Sequence, residues 1–480
     1  MHWTDGLQDA DYPEDLLFAW TRMSSSSKTA VTLTVICLGY FMTILDVTAV
    51  NVALPALQHA LGASIADLQW VLDGYALVFA SLLLTFGSLG DRRGSKGVFL
   101  TGVAVFTLAS AGCGIAPTVA VLQAARVVQG IGAALLVPTS LALLRHTFSD
   151  SSARARAFGI YGGIAGIAAA AGPVLGGLLT STVTWRAIFW LNVPIGLFVL
   201  PIAARVVPVA PRSAGRGFDP SGQAVGILML VLLTASLIQS GTRGWSSPVV
   251  IVGLVTTAIA CVIFIQIEHR AKAPMMPPAL FRNASFSAGT AVGFLINCGF
   301  FGQLFLVNLF FQKVWGDSAL LSGVRLLPEM GVVALASAFS GRVAGRFGTH
   351  VPMIVGTVVG GVGMLMMMTV GFATSYLLFI PMLIAIGFGM AFTMPAMTAA
   401  VMAAAPGEHA GIAGGVLNAA RQSGTVVGVA LLGALANRDS TFVQGYHVAV
   451  GVSGLLFLVA SALIVVVASK EVRLRVSPGI

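Results

Sequence analysis

The sequence is poor in charge. Only 9% of its 480 residues are charged and 57% are hydrophobic, whereas about 25% of an ordinary soluble protein is charged. So few ionisable side chains cannot solvate the surface of a soluble fold of this size, which excludes a water-soluble globular enzyme. The 56 glycines show no Gly-X-Y period, which excludes a collagen. They are typical of transmembrane helices that pack closely or bend. We therefore predict a helical membrane protein.

Other sequence signals are missing as well. The four cysteines form no C-x-x-C pair and have no histidine nearby, so they predict small buried hydrophobic side chains and no metal site; they are Cys37, Cys113, Cys261 and Cys298. No G-x-x-x-x-G-K-[ST] loop and no Ser/His/Asp grouping is present. We expect neither an enzyme nor an ATP-driven pump, and no cofactor.

Fourteen segments are long and apolar enough to cross a bilayer, which takes about 20 residues each. They are 29–54, 68–90, 97–115, 119–144, 157–180, 187–205, 222–240, 248–267, 285–312, 320–341, 351–372, 376–403, 410–436 and 446–469. An even number of spans places both termini on one side of the membrane. The short connections predict that consecutive helices are antiparallel neighbours.

The distribution of basic residues predicts the orientation. Of the 26 Lys and Arg residues, 19 lie on the side of the N-terminus and four lie on the opposite side. By the positive-inside rule both termini are cytoplasmic, as expected for a multi-pass protein of the cytoplasmic membrane. The net charge of +9 is spread over many short loops, which disfavours a nucleic-acid partner. Three arginines fall inside spans: Arg126, Arg325 and Arg421.

An internal repeat indicates the domain organisation. The segment Gly87–Gly94 ends the second span, and the similar segment Gly341–Gly348 ends the tenth, 254 positions later. If spans seven and eight are an insertion, the chain has two six-helix halves, a recognised transporter layout. The predicted parts are a tail 1–28, a six-helix bundle 29–205, a linker 206–221, two inserted helices 222–267, a loop 268–284, a second bundle 285–469 and a tail 470–480. The first tail is acidic and lacks an apolar run, so we expect no cleavable signal peptide; the sequence leaves open whether Met1 or Met23 is the first translated residue.

Charges inside the spans of the first half are few. Asp46 and Arg126 lie roughly 13 and 12 Å below the outer ends of their spans, and Asp73 lies roughly 6 to 9 Å below the start of its span. Each buried charge costs about 2.5 to 3.5 kcal/mol on insertion scales and needs a partner, a cavity or a function. Arg126 either locks the helices by neutralising one acid or forms a proton switch with it. The shallow position of Asp73 suits plain solvation at a cavity mouth almost as well as a role in proton transfer.

The second half carries its own intramembrane charges. Arg325 and Glu329 lie four residues apart, and Arg421 lies about 17 Å into span thirteen. Arg325 and Glu329 form either an i, i+4 pair that satisfies itself or part of a functional cavity. Glu329 precedes Gly341 by about as much as Asp73 precedes Gly87, so the two acids are near repeat equivalents.

Two glycine-rich segments suggest moving parts. The fifth span contains a Gly-Pro-x-x-Gly-Gly cluster, with glycines that permit close helix approach and a proline that bends the helix; its residues are Gly159, Gly172, Pro173, Gly176 and Gly177. The loop after the second span either forms a compact charged latch or is a solvated basic loop. The latch residues are Gly87, Asp91, Arg92, Gly94 and Lys96.

From about residue 29 to 469 the chain resembles the major facilitator superfamily, specifically fourteen-span drug:proton antiporters of the methylenomycin-resistance kind found in actinomycetes. Leu45 to Pro55 is similar to the family's first-helix motif, and Leu122 to Gly132 resembles the fourth-helix motif. The loop Gly87–Gly97 resembles the loop 2–3 motif, with Ser95 where a basic residue is usual. Gly345 stands where the second latch often has Asp, which weakens a charge relay there.

The resemblance implies an all-α fold of two six-helix bundles with two extra central helices. It also implies alternating access, in which proton influx drives export of a small amphipathic or cationic organic compound, with protons as the coupling ion and no other cofactor. Asp46 and Arg126 are then the proton-coupling pair, and Asp73, Glu329, Asn51 and Arg421 line the substrate cavity. We expect a monomer that contacts membrane lipid and no nucleic acid.

Two other functions fit the same sequence. A dedicated exporter of one endogenous metabolite or antibiotic would have the same fold. A non-transporting membrane receptor or scaffold is disfavoured by the buried charges and by the lack of any soluble signalling domain.

Overall fold

The computed structural model describes residues 25–148, 150–209, 219–271, 274–405, 410–437 and 441–476. These residues form α-helices and two short 3₁₀ turns, with no strand among them. The first tail up to residue 24, most of the linker 206–221 and the last four residues lie outside the described residues, as do parts of the loop 268–284. The sequence predictions for those segments therefore stay predictions.

The helices follow one another with short connections. They are α1 (Ser25–Leu61), α2 (Ile65–Arg93), α3 (Ser95–Gly114), α4 (Val119–Thr147), α5 (Ser151–Thr182), α6 (Arg186–Val206), α7 (Pro220–Arg243), α8 (Pro248–Arg270), α9 (Ala284–Lys313), α10a (Ala319–Arg325), α10b (Leu327–Phe347), α11 (His350–Met366), α12 (Tyr376–Ala404), α13 (Ala410–Ala436) and α14 (Phe442–Val476). The 3₁₀ turns are Leu280–Arg282 and Met367–Thr369.

Local sequence explains the helix ends. Ser64 and Asp67 form a capping box at the start of α2, with Asp67 N donating to Ser64 Oγ at 3.1 Å. Helices α7 and α8 begin with a proline, whose missing N–H is no loss in the first turn. Gly94, with φ +102°, is the only residue between α2 and α3, and Gly348 ends α10b at φ +83°. The two repeat segments thus end in the same way, on a glycine in a conformation that side chains rarely adopt.

Fourteen helical segments of the described chain are long and apolar enough to span a membrane, and each overlaps one predicted span. The predicted fold class, an all-α polytopic membrane protein, is therefore confirmed. The tenth span is interrupted at Leu326, two residues before Pro328 in the first turn of α10b. We call the membrane side that holds both chain ends the terminal side, and the opposite side the distal side.

The same helix pairs pack in the two halves. In the first half α1 packs on α5 and α6, α2 on α4, and α3 on α4 and α6. In the second half the corresponding pairs are α9 with α13 and α14, α10b with α12, and α11 with α12 and α14. Two six-helix bundles related by this repeat are the architecture of the fold.

Helix α7 crosses the junction between the bundles, and α8 packs mainly on α7. Gln223, near the terminal side, donates to the Ser81 carbonyl of α2 at 2.6 Å. At the distal end the Gly241 carbonyl accepts from Asn437 Nδ2, just after α13, at 3.1 Å. Helix α7 therefore connects one bundle at the terminal side to the other bundle at the distal side.

The two bundles touch along different lengths on their two edges. On one edge α2 packs along α13. The contact runs from the hydrogen bond between Gln69 and a carbonyl of α13 to the approach of Leu84 to Gly415. On the other edge α5 contacts α10a at the distal side, where Leu320 N donates to Ser181 Oγ at 3.1 Å. Toward the terminal side this contact ends. A side chain added at any of three α5 glycines there would meet nothing within 4 Å; they are Gly159, Gly162 and Gly163. Among the described residues, the edge between α5 and α10 is therefore closed at the distal side, remains in contact at Gly166 and Ala334, and is open only at its terminal end.

Candidate functional site

A fully buried ion pair joins the first and fourth helices. Arg126 of α4 pairs through Nη1 with Oδ2 of Asp46 on α1, and each residue is 1% exposed. Arg126 Nε also donates to the Val71 carbonyl of α2 at 3.0 Å, and its guanidinium lies 4.5 Å from the ring centre of Tyr75. The residues at comparable predicted depth are thus brought into direct contact.

Glycines of the fourth-helix motif allow this approach. A Cβ at Gly130 would lie 2.6 Å from the Tyr75 carbonyl oxygen, and one at Gly132 would lie 2.6 Å from the Phe106 amide. No side chain fits at either position without displacing backbone, so both glycines hold α4 close to α2 and α3. The motif therefore sets the position of Arg126.

Two side-chain amides and one hydroxyl complete the hydrogen-bond network around the pair. Gln129 accepts from Arg126 Nη1 at 2.6 Å and donates through Nε2 to Asp46 Oδ1 at 2.9 Å and to Ser110 Oγ at 2.8 Å. Asn192 of α6 donates to the same Asp46 oxygen at 3.1 Å. This network, which we call the carboxylate network, links four helices of one bundle. Because its acid is bound by one cation and two neutral donors, a change at Asp46 reaches all four helices.

Asp73 lines a small cavity between the bundles. Its carboxylate is fully buried and has no hydrogen-bond partner among the described residues. The cavity also borders Asn51 and Arg126 from the first bundle, and Phe301 and Thr425 from the second. Arg126 thus contacts Asp46 on one side and the Asp73 cavity on the other. Asp73 and Asn51, both predicted to line the substrate cavity, do share one cavity.

Glu329 lies apart from that cavity. It is fully buried on α10b, where a Cβ at Gly387 of α12 would lie 3.0 Å from its carbonyl carbon. Its carboxylate oxygens have no hydrogen-bond partner among the described residues, and Gln303 of α9 and Tyr446 of α14 are close to it. It is therefore a second buried acid, placed inside the second bundle.

Arg325 does not pair with Glu329, contrary to the i, i+4 alternative. The helix break at Leu326 separates them, and Arg325 pairs with Asp317 at 2.9 Å. Its guanidinium lies 4.8 Å from the ring centre of Trp315 and 5.1 Å from that of Tyr376. Arg325 therefore belongs to an aromatic cluster at the distal end of the second bundle, where it holds α10a in place.

The predicted latch lies at the terminal end of α2. Gly87 and Gly90 face α4, where a Cβ at Gly90 would lie 2.7 Å from Thr139 Cγ2. Asp91 and Arg92 are exposed, and Lys96 is half-buried at the start of α3. The glycines thus place a charged turn at the mouth of the open side.

The helix-five motif is divided between two environments. In its distal half a Cβ at Gly176 would lie 2.6 Å from the Ala49 carbonyl of α1, and one at Gly177 would lie 2.8 Å from Leu320 Cα of α10a. Gly172 meets Thr48, and the Pro173 carbonyl faces Gly323. Gly159 instead faces open space. The motif packs the bundles together at the distal side only.

The sequence profile described as "Major Facilitator Superfamily" matches residues 36–429. The chain belongs to the Major Facilitator Superfamily. Among curated relatives, the "Methylenomycin A resistance protein" of Bacillus subtilis (strain 168) is 38% identical over 442 residues, which cover 92% of this chain and 95% of the relative. The "Multidrug resistance protein Stp" of Mycobacterium tuberculosis (strain CDC 1551 / Oshkosh) is 37% identical, over 83% of this chain and 74% of the relative.

A solved structure shares the fold of this Major Facilitator Superfamily chain. A POT family transporter crystallised with a thioalcohol-conjugated peptide superposes with a TM-score of 0.70 at 15% identity, covering 91% of this chain and 96% of that one. The predicted resemblance to drug-resistance exporters of the superfamily is confirmed by the family match and by the relatives.

Sequence reasoning missed two features of the site in this superfamily member. Gln129 lies within the fourth-helix motif and Asn192 lies in the sixth span, but the hydrogen bonds that both make to Asp46 were not predicted. For Gln129 the sequence did contain a signal, since it follows Arg126 by about one helical turn and so lies on the same face of the helix. Ser110 carries no sequence signal, because only the packing of α3 on α4 brings it to Gln129.

Proposed function

We propose that the protein is a proton-coupled antiporter that exports drugs or antibiotics across the cytoplasmic membrane by alternating access. The observation that carries this proposal is the buried Asp46–Arg126 pair, whose arginine borders the Asp73 cavity between the bundles. A charged pair at this depth is costly unless it has a function or complete partners. Here one member of the pair also reaches the cavity.

The carboxylate network supplies a mechanism for coupling. A proton on Asp46 would neutralise the carboxylate, end its ion pair with Arg126 and leave the guanidinium free to interact with the cavity. Gln129 and Asn192 would lose their charged acceptor at the same time, and α3, α4 and α6 would rearrange around it. Proton uptake and substrate binding are thereby linked through the same arginine.

The structure supports one end state of the proposed cycle. With the terminal side cytoplasmic, as the basic residues predict, the molecule is open to the cytoplasm and closed outside. The opposite state requires α5 and α10a to separate at the distal side. We propose that the charged turn Gly87–Lys96 holds the bundles together when the terminal side closes.

The proposed substrate is a small amphipathic or cationic organic molecule. Asp73 offers a carboxylate to a cation, and Asn51 offers a free side-chain oxygen beside it. Phe301 supplies an aromatic surface from the other bundle. We propose Glu329 as a second buried acid that titrates or contacts substrate during the cycle, with the protein acting as a monomer.

The test is pH-gradient-driven uptake of ethidium into everted membrane vesicles. We expect Asp46→Asn to abolish gradient-driven uptake, because the neutral amide cannot carry the coupling proton. Asp67→Asn is the matched control, since it makes the same acid-to-amide change at the exposed start of α2 and retains a capping oxygen. Undiminished gradient-driven uptake by Asp46→Asn would refute the coupling role.

A dedicated exporter of one compound is the second candidate, favoured by the relative named for methylenomycin A alone. A drug-susceptibility panel in a pump-deficient host separates the two. Protection against several unrelated cationic compounds supports the broad exporter, and protection against one compound class supports the dedicated one.

A further inference from the structure

Three exposed arginines, which we call the edge arginines, mark the terminal end of the edge between α5 and α10b. Arg156 lies in the second turn of α5, and Arg342 and Arg346 lie in the last two turns of α10b. Neither of the two ion pairs between described residues includes any of them. Both bundles thus contribute positive charge, without a described carboxylate partner, to the same end of one edge.

The arginines inside the spans are bound differently. Arg126 and Arg325 pair with carboxylates, and Arg421 of α13 donates through Nη2 to the thioether of Met394 at 3.4 Å. Each of these guanidinium groups is therefore held by a side chain of its own bundle. The edge arginines have no such side-chain acceptor among the described residues, so their guanidinium groups can bind a group from outside the protein.

The edge arginines lie at the depth of lipid headgroups. The two helices touch near the middle of both spans, where a Cβ at Gly166 of α5 would lie 3.6 Å from Cα of Ala334. At about 1.5 Å per residue, Arg156 lies about 15 Å from this contact, and Arg342 and Arg346 lie about 12 and 18 Å from it. Half the hydrocarbon thickness of a bilayer is about 15 Å. All three guanidinium groups therefore reach the boundary between hydrocarbon and headgroups.

The edge arginines also point to one side of the edge. With about 100° of rotation per residue, Arg156 lies about 80° around α5 from Gly166. Arg342 and Arg346 lie about 80° and 120° around α10b from Ala334, in the same sense of rotation. The two helices are antiparallel, since the end of α5 contacts the start of α10a. Rotations of the same sense therefore carry both sets of side chains to the same side.

This side faces away from the interior of both bundles. Gly172 and Gly176 contact α1 from about 120° and 80° in the opposite sense around α5. Ser340 lies about 120° in the opposite sense around α10b and donates to the Phe392 carbonyl of α12 at 2.7 Å. The neighbouring helices thus lie behind the edge, and the edge arginines face the membrane.

An exposed apolar strip runs from the edge arginines toward the membrane centre. Leu335 and Phe339 lie on the same face of α10b as Arg342 and are 72% and 58% exposed. Ile160, which is 49% exposed, lies on the matching face of α5. The Arg342 guanidinium lies 5.6 Å from the ring centre of Phe339. A basic end beside an apolar strip matches a molecule with an anionic head and an acyl chain.

Glycines leave the terminal end of this edge unfilled. An added Cβ would meet nothing within 4 Å at Gly159 or Gly163 of α5, or at Gly341 or Gly345 of α10b. The gap between the two helices therefore lies directly beside the edge arginines, and no described side chain fills it at these positions. A ligand from the membrane can reach arginines of both bundles there.

We propose that the edge arginines bind the phosphate of an anionic phospholipid from the leaflet on the terminal side. The guanidinium fork matches phosphate oxygens in two parallel hydrogen bonds. Basic pockets between membrane helices are known to bind anionic headgroups. An acyl chain of the lipid packs along Leu335 and Phe339. The inference goes beyond the proposed function, since this lipid is a partner of the protein and not the exported compound.

The experiment measures equilibrium binding of lipid to the purified, delipidated full chain by native mass spectrometry. The two probes have the same acyl chains: phosphatidylglycerol, which is anionic, and phosphatidylcholine, which has no net charge. We expect the wild type to bind phosphatidylglycerol more tightly. The triple variant Arg156→Gln, Arg342→Gln, Arg346→Gln should weaken phosphatidylglycerol binding roughly a hundredfold, about fivefold for each arginine. It should leave phosphatidylcholine binding unchanged.

A second triple variant removes the same charge elsewhere on the terminal side. Arg145→Gln, Arg270→Gln and Arg282→Gln change exposed arginines at the ends of α4 and α8 and in the first 3₁₀ turn. This control should leave phosphatidylglycerol binding unchanged. Replacing the edge arginines in an Arg→Lys triple variant keeps the charge but loses the fork, so its affinity should lie between those of the wild type and the glutamine variant.

A soluble headgroup separates a lipid site from a site for free phosphate. sn-Glycerol 1-phosphate carries the anionic group without acyl chains, and a large excess of it should not displace phosphatidylglycerol. Three results would overturn the proposal: equal affinity of the wild type for the two lipids, phosphatidylglycerol binding no weaker in the edge variant than in the control variant, or displacement by sn-glycerol 1-phosphate. Lipid binding needs no proton gradient, so the transport result for Asp46→Asn does not affect this outcome.

Discussion

Removing both members of the Asp46–Arg126 pair should cost much less stability than the sum of the two single removals. Asp46→Asn leaves Arg126 buried with the Val71 carbonyl and Gln129 as acceptors and with no opposing charge. Breaking a buried pair in this way costs about 3 to 5 kcal/mol, and an unpaired arginine at a span centre costs about 2.5 to 3.5 kcal/mol on insertion scales. Both routes give about 3 kcal/mol for the single variant.

A double-mutant cycle tests this value. The variants are Asp46→Asn, Arg126→Gln and the two combined, and the measurement is the free energy of unfolding in detergent. We expect the free energy of unfolding lost in the double variant to be smaller than the sum of the two single losses by at least about 2 kcal/mol. The reason is that the double variant leaves no buried charge uncompensated. The same cycle on Asp317 and Arg325, whose arginine is 21% exposed, should give about 1 kcal/mol or less. Additive losses at Asp46 and Arg126 would refute the reasoning.

Three other outcomes follow from the structure. Gly177→Ala should push α10a off α5 and favour the distal-open state by about 1 to 3 kcal/mol. This change should appear as a longer distance between spin labels on the distal ends of the two helices. Gly162→Ala should leave that distance unchanged, because a Cβ added there would meet nothing within 4 Å. Burial raises the pKa of Asp317 above its ordinary 3.8, although Arg325 opposes the rise. The folded state therefore holds this proton more tightly than the unfolded state, and the free energy of unfolding should fall as pH rises through the folded pKa. Chemical unfolding across a pH series should show this fall in the wild type and lose it in Asp317→Asn. Glu329→Gln should change the unfolding free energy by less than about 1 kcal/mol because no hydrogen bond to the carboxylate is lost, and a loss as large as that of Asp46→Asn would show that Glu329 is charged and paired.

Helix length and rise were sufficient to predict the spans and to place Asp46, Asp73 and Arg126 at comparable depth, whereas the pairing of Asp46 with Arg126 came from the family resemblance. The sequence could not predict that Gln129 binds both members of the pair, or that Asn192 also donates to Asp46. Those contacts depend on the rotation of each helix about its axis, which is set by the packing of the whole bundle. The depth of a residue in the membrane is set by its own helix, whereas the direction in which its side chain points depends on how neighbouring helices pack.

The pairing of Arg325 shows where a local rule fails. An i, i+4 pair with Glu329 assumes a continuous helix, and Pro328 lies between the two residues. A proline removes a backbone donor and clashes with the preceding turn, so the helix restarts there and Arg325 turns toward Asp317. Pro328 was the signal in the sequence that could have indicated the break.

Helix α7 makes the two edges of the molecule mechanically unequal. It ties α2 to the distal end of α13 along one edge, whereas no third helix of the described chain bridges the edge of α5 and α10, which is parted at its terminal end. If the bundles rotate about the tied edge, a lateral slit opens on the other edge, facing the hydrocarbon of the leaflet on the terminal side. A lipophilic compound dissolved in that leaflet would then enter from the side, so its effective concentration would be set by its partition into the membrane and not by its concentration in the aqueous solution on that side.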